Sequence, residues 1–352
     1  MAVFVFLHMS TRLPSPSTPN GSPAKRPTRG AQRRSGSALG RLFGRENPPG
    51  AAPDARGEAR CARLRVLLWL VTLWAAACGG GSAEIPTDHR LLTPSSELRL
   101  VWSDEFDGME GEPVDATKWS AQVGGTGWGQ NVLDYKTNCT NPLAPHYTTD
   151  NAEMDGQGNL VISALREAVP YDACWYGPCE FSSALLVTAS TFRQQYGRFE
   201  VRMKTPPGPG LWSSFWLFGI NDDGLWGEID VAELIGRDPA AIYQAAHGTG
   251  FMADKFSLRT EVASGIVADE FHVYAVDWSP GAVRFSIDGN PKLTITPDFL
   301  PSEGTWPYDS MPFYMVLDLG VGSSMSWSGS QDERTPFPAQ LLVDYVRVYE
   351  LD

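Results

Sequence analysis

Between Leu98 and Glu350, apolar residues recur at every second position in short runs, each closed by glycine, proline, asparagine or aspartate. A period of two sends successive side chains to opposite faces, so each run specifies a strand with one buried face. In Arg198-Phe199-Glu200-Val201-Arg202-Met203-Lys204 the odd positions are apolar and the even ones charged. Val343-Asp344-Tyr345-Val346-Arg347-Val348-Tyr349 alternates less strictly. Further strands are expected over Leu98-Trp102, Asn159-Ala164, Glu228-Glu233, Phe271-Trp278, Ala282-Ile287 and Pro312-Leu319. Turns are expected at Asp155-Gly156, Pro206-Pro207-Gly208 and Asp288-Gly289-Asn290. With 35 Gly and 27 Pro and hardly any helical spacing, the pattern predicts one all-β domain, a large antiparallel sandwich over residues 98–350. No internal repeat and no second domain are visible.

Residues 1–78 follow different rules. They carry 12 Lys/Arg against three acids, a net of +9, while the remaining 274 residues carry a net of −22. So acidic a body repels phosphate backbones, which excludes nucleic acid as a partner and disfavours a sulfated polymer. Residues 1–61 are rich in Ser, Pro, Gly, Ala and Arg with no apolar period, as in a disordered tail or an extension read from an upstream start codon. Arg60, Arg63 and Arg65 then precede an apolar run from Val66 to Ala77. A charged start, a run too short to span a bilayer and small residues before a cut describe an export signal over 62–78. Cys78, followed by Gly79-Gly80-Gly81-Ser82, resembles a bacterial lipoprotein signal, so lipid attachment at Cys78 is expected, with plain secretion as the competing reading. Residues 79–97 read as a linker. The protein is therefore expected to be exported, either held at the cell envelope or secreted, and to act as a monomer. Cys139, Cys174 and Cys179 follow Cys78; a small-loop disulfide between Cys174 and Cys179 is expected, with Cys139 able to compete for either partner.

Three acids fall within Gly224-Leu225-Trp226-Gly227-Glu228-Ile229-Asp230-Val231-Ala232-Glu233. In a regular strand Glu228 and Asp230 share a face and Glu233 lies opposite. One extra residue near Val231-Ala232, a β-bulge, returns Glu233 to the shared face. Four strand steps then separate the glutamate Cα atoms by roughly 13 Å, and side chains leaning together bring the carboxyls to roughly 5–6 Å. That separation suits retaining glycoside hydrolysis, in which one carboxylate attacks the anomeric carbon and the other protonates the leaving oxygen. An exposed acidic strand and a cation site are the competing readings of the same residues.

The segment Glu228-Ile229-Asp230-Val231-Ala232-Glu233 resembles the signature of glycoside hydrolase family 16 in the bulged form of its laminarinase-like members. Trp102-Ser103-Asp104-Glu105-Phe106-Asp107-Gly108, Tyr196-Gly197-Arg198-Phe199, Gly210-Leu211-Trp212-Ser213-Ser214-Phe215-Trp216 and Phe271-His272-Val273-Tyr274 are similar to further family segments, in the same order. The resemblance implies a β-jelly-roll with a cleft across its concave sheet. It implies a retaining endo-β-1,3-glucanase acting on a β-glucan, with Glu228 as nucleophile, Asp230 as its electrostatic partner and Glu233 as acid/base. Mixed-linkage glucan, galactan, transglycosylation and glucan binding with little turnover are the alternatives. Trp212, Trp216, Trp226, His247 and Asn131 are expected at the substrate. No cofactor is expected for catalysis; a structural calcium is expected on Glu105, Asp344 and a carbonyl near Gly158, where oxygen-only ligands suit that ion. The chain departs from its relatives at Asn131-Val132-Leu133-Asp134-Tyr135, where Asn-Glu-Leu-Gln-Tyr is frequent, at Asp318, where Asn is common, and at Ser323, where a second Gly is common.

Overall fold

A computed structural model describes residues 98–137, 151–169, 173–251, 256–261, 268, 270–302 and 304–351. The basic tail, the export signal with Cys78, the linker and Cys139 lie outside the described residues. Among the described residues no helix is long and apolar enough to cross a membrane.

The alternating runs form two sheets. One has the strand order Asn290–Ile295, Ala282–Ile287, His272–Ser279, Gly197–Lys204, Ala339–Glu350, Leu160–Arg166, Phe181–Ser183 and Asp134–Lys136. Arg99–Asp104 pairs with Ala339–Glu350, and Ala152–Met154 with Leu160–Arg166. The other sheet is ordered Ser257–Glu261, Ala241–Gly248, Trp226–Ile235, Leu211–Ile220, Tyr314–Val321, Leu185–Val187 and Ser120–Ala121. Pairing is antiparallel as expected except between Asp134–Lys136 and Phe181–Ser183, which run parallel. A parallel pair needs a crossover of a dozen or more residues, and the long segment between these two strands supplies it.

One core fills the space between the sheets. Phe199, Val201 and Met203 are fully buried in it, as their alternation requires. The looser pattern of the last strand has a physical cause. Met203 pairs with Val343 and Arg202 with Tyr345, so Asp344 is an extra residue and Val343, Val346 and Val348 all reach the core. The strand Leu211–Ile220 carries no alternation because both its faces are covered. Leu211, Phe215 and Leu217 enter the core, while Trp212, Trp216 and Phe218 build apolar clusters on the outer face of the seven-stranded sheet.

A buried ion cluster ties the two sheets together. Lys136 Nζ lies 2.7 Å from Asp134 Oδ2 and 3.7 Å from Asp318 Oδ2, and none of the three side chains is more than 3% exposed. The ammonium also donates to Leu319 O at 2.7 Å, and Asp134 Oδ1 accepts from Val321 N at 2.7 Å. Thus one strand end of the larger sheet is bonded to the strand Tyr314–Val321 of the other. Removing one member of such a set leaves buried charge uncompensated. Lys136→Met should therefore cost about 3–5 kcal/mol of stability, read as a lower urea midpoint.

Candidate active site

The bulge falls where the acid spacing demanded it. Along one side of Trp226–Ile235, Trp216 pairs with Asp230 and Phe215 with Ala232. Along the other, Ala245 pairs with Asp230 and Tyr243 with Glu233. Val231 and Ala232 consequently point the same way, both fully buried in the core beside Ile229 and Leu234. Glu228, Asp230 and Glu233 are left together on the outer face.

These acids are not an exposed strand. Glu228 is 9% and Asp230 3% exposed. His247, the register partner of Glu228, places Nε2 3.0 Å from Asp230 Oδ2 and 3.9 Å from Glu228 Oε1. Trp212 Nε1 donates to Glu233 Oε1 at 3.1 Å. Ser214, opposite Glu233 in the ladder, donates its hydroxyl to Asp318. Behind the strand the fully buried Tyr308 donates to His247 O at 2.8 Å. Glu228 Oε2 has no hydrogen-bond partner among the described residues.

Burial is the main force on the acidity of all three groups. It pushes Glu228 and Glu233 well above the ordinary glutamate value, helped by the Asp230 charge and opposed by His247. Burial lifts Asp230 from 3.8 to about 8. Asp230 therefore keeps its proton at neutral pH, and both glutamates are shifted in the direction that a proton donor needs.

Apolar side chains flank the acids on both sides. Beyond Glu228, Trp216, Phe218, Leu185, Val187 and Val316 form one cluster, with Trp226 stacked on Phe218 at 6.2 Å. Beyond Glu233, Trp212 packs with Val132 and Ile235, and the half-exposed Trp327 stands edge-on to Trp212 at 5.5 Å and to Tyr243 at 4.7 Å. Paired glutamates on one strand face, between two aromatic patches, form a site able to bind a sugar chain lengthwise and cut it.

Comparison with known proteins agrees with this geometry. The model of the family "Glycosyl hydrolases family 16" matches residues 143–346. The chain belongs to that family. A beta-glucanase of Rhodothermus marinus is 35% identical over 287 residues, which is 76% of this chain and 90% of the relative. A beta-1,3-glucan-binding protein of Penaeus monodon is 29% identical over 361 residues, 78% of this chain and 96% of that protein. The catalytic domain of an endo-1,3-beta-glucanase (laminarinase) from Thermotoga petrophila RKU-1 superposes with a TM-score of 0.63 at 32% identity, covering 73% of this chain and 99% of that one. The two-sheet sandwich is the jelly-roll of these family 16 structures.

The remaining expected site residues divide. Trp212 and His247 contact the acids directly, while Trp216 is 6% exposed and serves packing. Asn131 is exposed in a left-handed turn (φ 57°), and its carbonyl accepts from Ser326 Oγ. That bond ties it to the segment bearing Trp327, and no contact of its side chain with the acids is found among the described residues. The Cys174–Cys179 disulfide is formed, and within its loop Trp175 Nε1 and Tyr176 Oη donate to Val132 O and Leu133 O.

The calcium ligand set does not fit. Both Glu105 oxygens accept from Arg347, at 3.0 and 2.7 Å, and Asp344 accepts from Arg202. Two guanidinium groups already neutralise the carboxylates that a cation would need.

Tyr308, Ser214, Gln244 and Trp327 were not expected. Trp327 alone leaves a signal, a lone aromatic within the Ser/Gly-rich run Ser323–Gly329.

A buried carboxyl raised in the folded state weakens the fold. As pH rises from 3.8 towards about 8, the unfolded chain ionises Asp230 while the folded chain keeps its proton, so stability falls across that window. Asp230→Asn should therefore raise the melting temperature at pH 7 by about 2–4 °C, the effect of ~1 kcal/mol in a domain of this size. At pH 3 the gain should vanish; calorimetry at the two pH values checks both.

Proposed function

We propose that the protein is a retaining endo-β-1,3-glucanase that hydrolyses laminarin-like or fungal-wall β-glucan by double displacement. The observation carrying this is the bulge at Val231-Ala232, which sets Glu228 and Glu233 on one face with Asp230 between them. The named activities of the Rhodothermus and Thermotoga relatives support β-glucan as the substrate.

In the first step Glu228 attacks the anomeric carbon as Glu233 gives its proton to the glycosidic oxygen, and the carbon–oxygen bond breaks. In the second, ionised Glu233 takes a proton from water, the water oxygen bonds the anomeric carbon, and Glu228 departs. Protonated Asp230, steadied by His247, keeps a second negative charge away from Glu228 and leaves that carboxyl free to ionise. Aromatic patches on either side of the acids hold the chain across them.

The Penaeus relative favours a second reading, a glucan-binding protein with little turnover. The intact glutamate pair weighs against it, because binding alone has no use for buried, repelling carboxyls. Laminarin, lichenan and agarose digested side by side, with products sized, separate the readings. Reducing ends released fastest from laminarin are expected; binding without release would establish the second.

Glu228→Gln should abolish formation of the glycosyl-enzyme. Glu233→Ala should lower glucan hydrolysis by about 10²–10⁴-fold, yet still react with an aryl glycoside whose leaving group needs no proton. Azide should restore its turnover and give a β-azide, whereas azide added to Glu228→Ala should give the α-azide. Swapped stereochemistry would swap the two roles.

We also propose export with lipid attachment at Cys78, supported by the apolar run and the small residues preceding it. Cys78→Ser should move the protein from the membrane fraction to the soluble exported pool, read by fractionation.

A further inference from the structure

The bulge raises a question of hydrogen-bond accounting. Val231 has a register partner on neither neighbouring strand, since Asp230 and Ala232 take the partners on one side and Asp230 and Glu233 those on the other. A carbonyl skipped by both ladders and buried in an apolar core is costly unless another donor reaches it.

Gln244 is that donor. It is the single residue of Ala241–Gly248 between Tyr243 and Ala245, and so stands opposite the two residues Val231 and Ala232. Its side chain is fully buried and shares the core face with Ile242 and Ala246. Its Nε2 donates to Val231 O at 2.9 Å, while its own Oε1 has no hydrogen-bond partner among the described residues. An amide at that position is a poor choice for packing, because half of its polar group stays unpaired. An aliphatic side chain would serve the core better. What the amide supplies is a bond to the one carbonyl that a regular ladder does not need.

We infer that Gln244 is a positioning residue: by holding Val231 O it fixes the bulge, and through the bulge the placement of Glu233 relative to Glu228. The inference rests on the acid/base role proposed above for Glu233. The geometry separates the two glutamates in their dependence. Glu228 precedes the bulge and is set by regular pairing with Phe218 and His247. Glu233 follows it. Loss of the Gln244 bond should therefore disturb proton transfer and spare nucleophilic attack.

Gln244→Met keeps the length of the side chain and removes the donor. Hydrolysis of laminarin should fall about 10- to 100-fold, the range for an ångström-scale misplacement. Formation of the glycosyl-enzyme from a dinitrophenyl β-laminaribioside should stay near wild type, and azide should recover the lost turnover as β-azide. Glu233→Ala is the reference for this split, and Ile242→Val is the control for a loosened core on the same strand face. Ile242→Val should lower the melting temperature without changing the ratio of the two activities. A parallel fall of both substrates in Gln244→Met, or no fall in either, would overturn the inference. A Glu233→Ala enzyme without the split would instead overturn the role of Glu233, and this inference with it. If Gln244→Met does not fold, Gln244→Glu carries the same test, since its carboxyl donates to Val231 O only while protonated. Its laminarin-to-aryl ratio should drop as pH rises relative to wild type; an unchanged ratio at every pH would again overturn the inference.

Discussion

The pleat of a β-strand permits two acids at positions 228 and 230 to share a face and sends position 233 to the other side. Every chemical property of the site depends on breaking that rule once. Inserting Val231 lets two consecutive side chains, Val231 and Ala232, bury themselves in the core, so the strand loses no apolar contact while Glu233 changes face. The core thereby enforces the site. A shift of the bulge by one residue would drive Asp230 or Glu233 among Ile229, Leu234 and Phe215, where an unpaired carboxyl costs more than the domain's margin of stability allows.

That enforcement matters because the arrangement is unfavourable in itself. Three carboxyls are held in low-dielectric surroundings with one imidazole among them, and each is pushed towards its protonated form. A fold selected for stability alone would replace them. The large two-sheet core supplies the excess stability that makes the cluster tolerable, and raised carboxyl pKa values are what proton donation to a glycosidic oxygen requires.

Much of this was legible in the residues. Strict alternation marked Gly197–Lys204, and the spacing of the three acids pointed to a bulge near Val231-Ala232. What stayed hidden had lost its period or lay far away in sequence. Leu211–Ile220 reads as a continuous apolar run because aromatic clusters cover its outer face as fully as the core covers the inner one. Gln244 resembles any polar residue of a half-exposed strand until its register opposite Val231 is known. Tyr308 acts through a backbone carbonyl, His247 O, and backbone partners leave no imprint on side-chain patterns. Glu105 and Asp344 read as oxygen ligands because nothing in the local sequence reveals that Arg347 and Arg202 face them across neighbouring strands.

The departures from the family pattern at Asp134 and Asp318 acquire a joint explanation. Taken singly, each places an acid where relatives often carry an amide, and each would be a buried charge without a partner. Taken together they bracket Lys136, whose ammonium lies within 4 Å of both. The compensation is incomplete, because two carboxylates face one lysine, and the remainder reaches the site. Asp318 accepts the hydroxyl of Ser214, the ladder partner of Glu233, and its charge adds, behind burial and Asp230, to the forces that raise the pKa of Glu233. An amide at position 318 would hold Ser214 without that electrostatic push. The buried trio is thus both the clamp between the sheets and a source of negative potential behind Glu233. A change in any one of the three therefore acts on stability and on the acidity of the site at once.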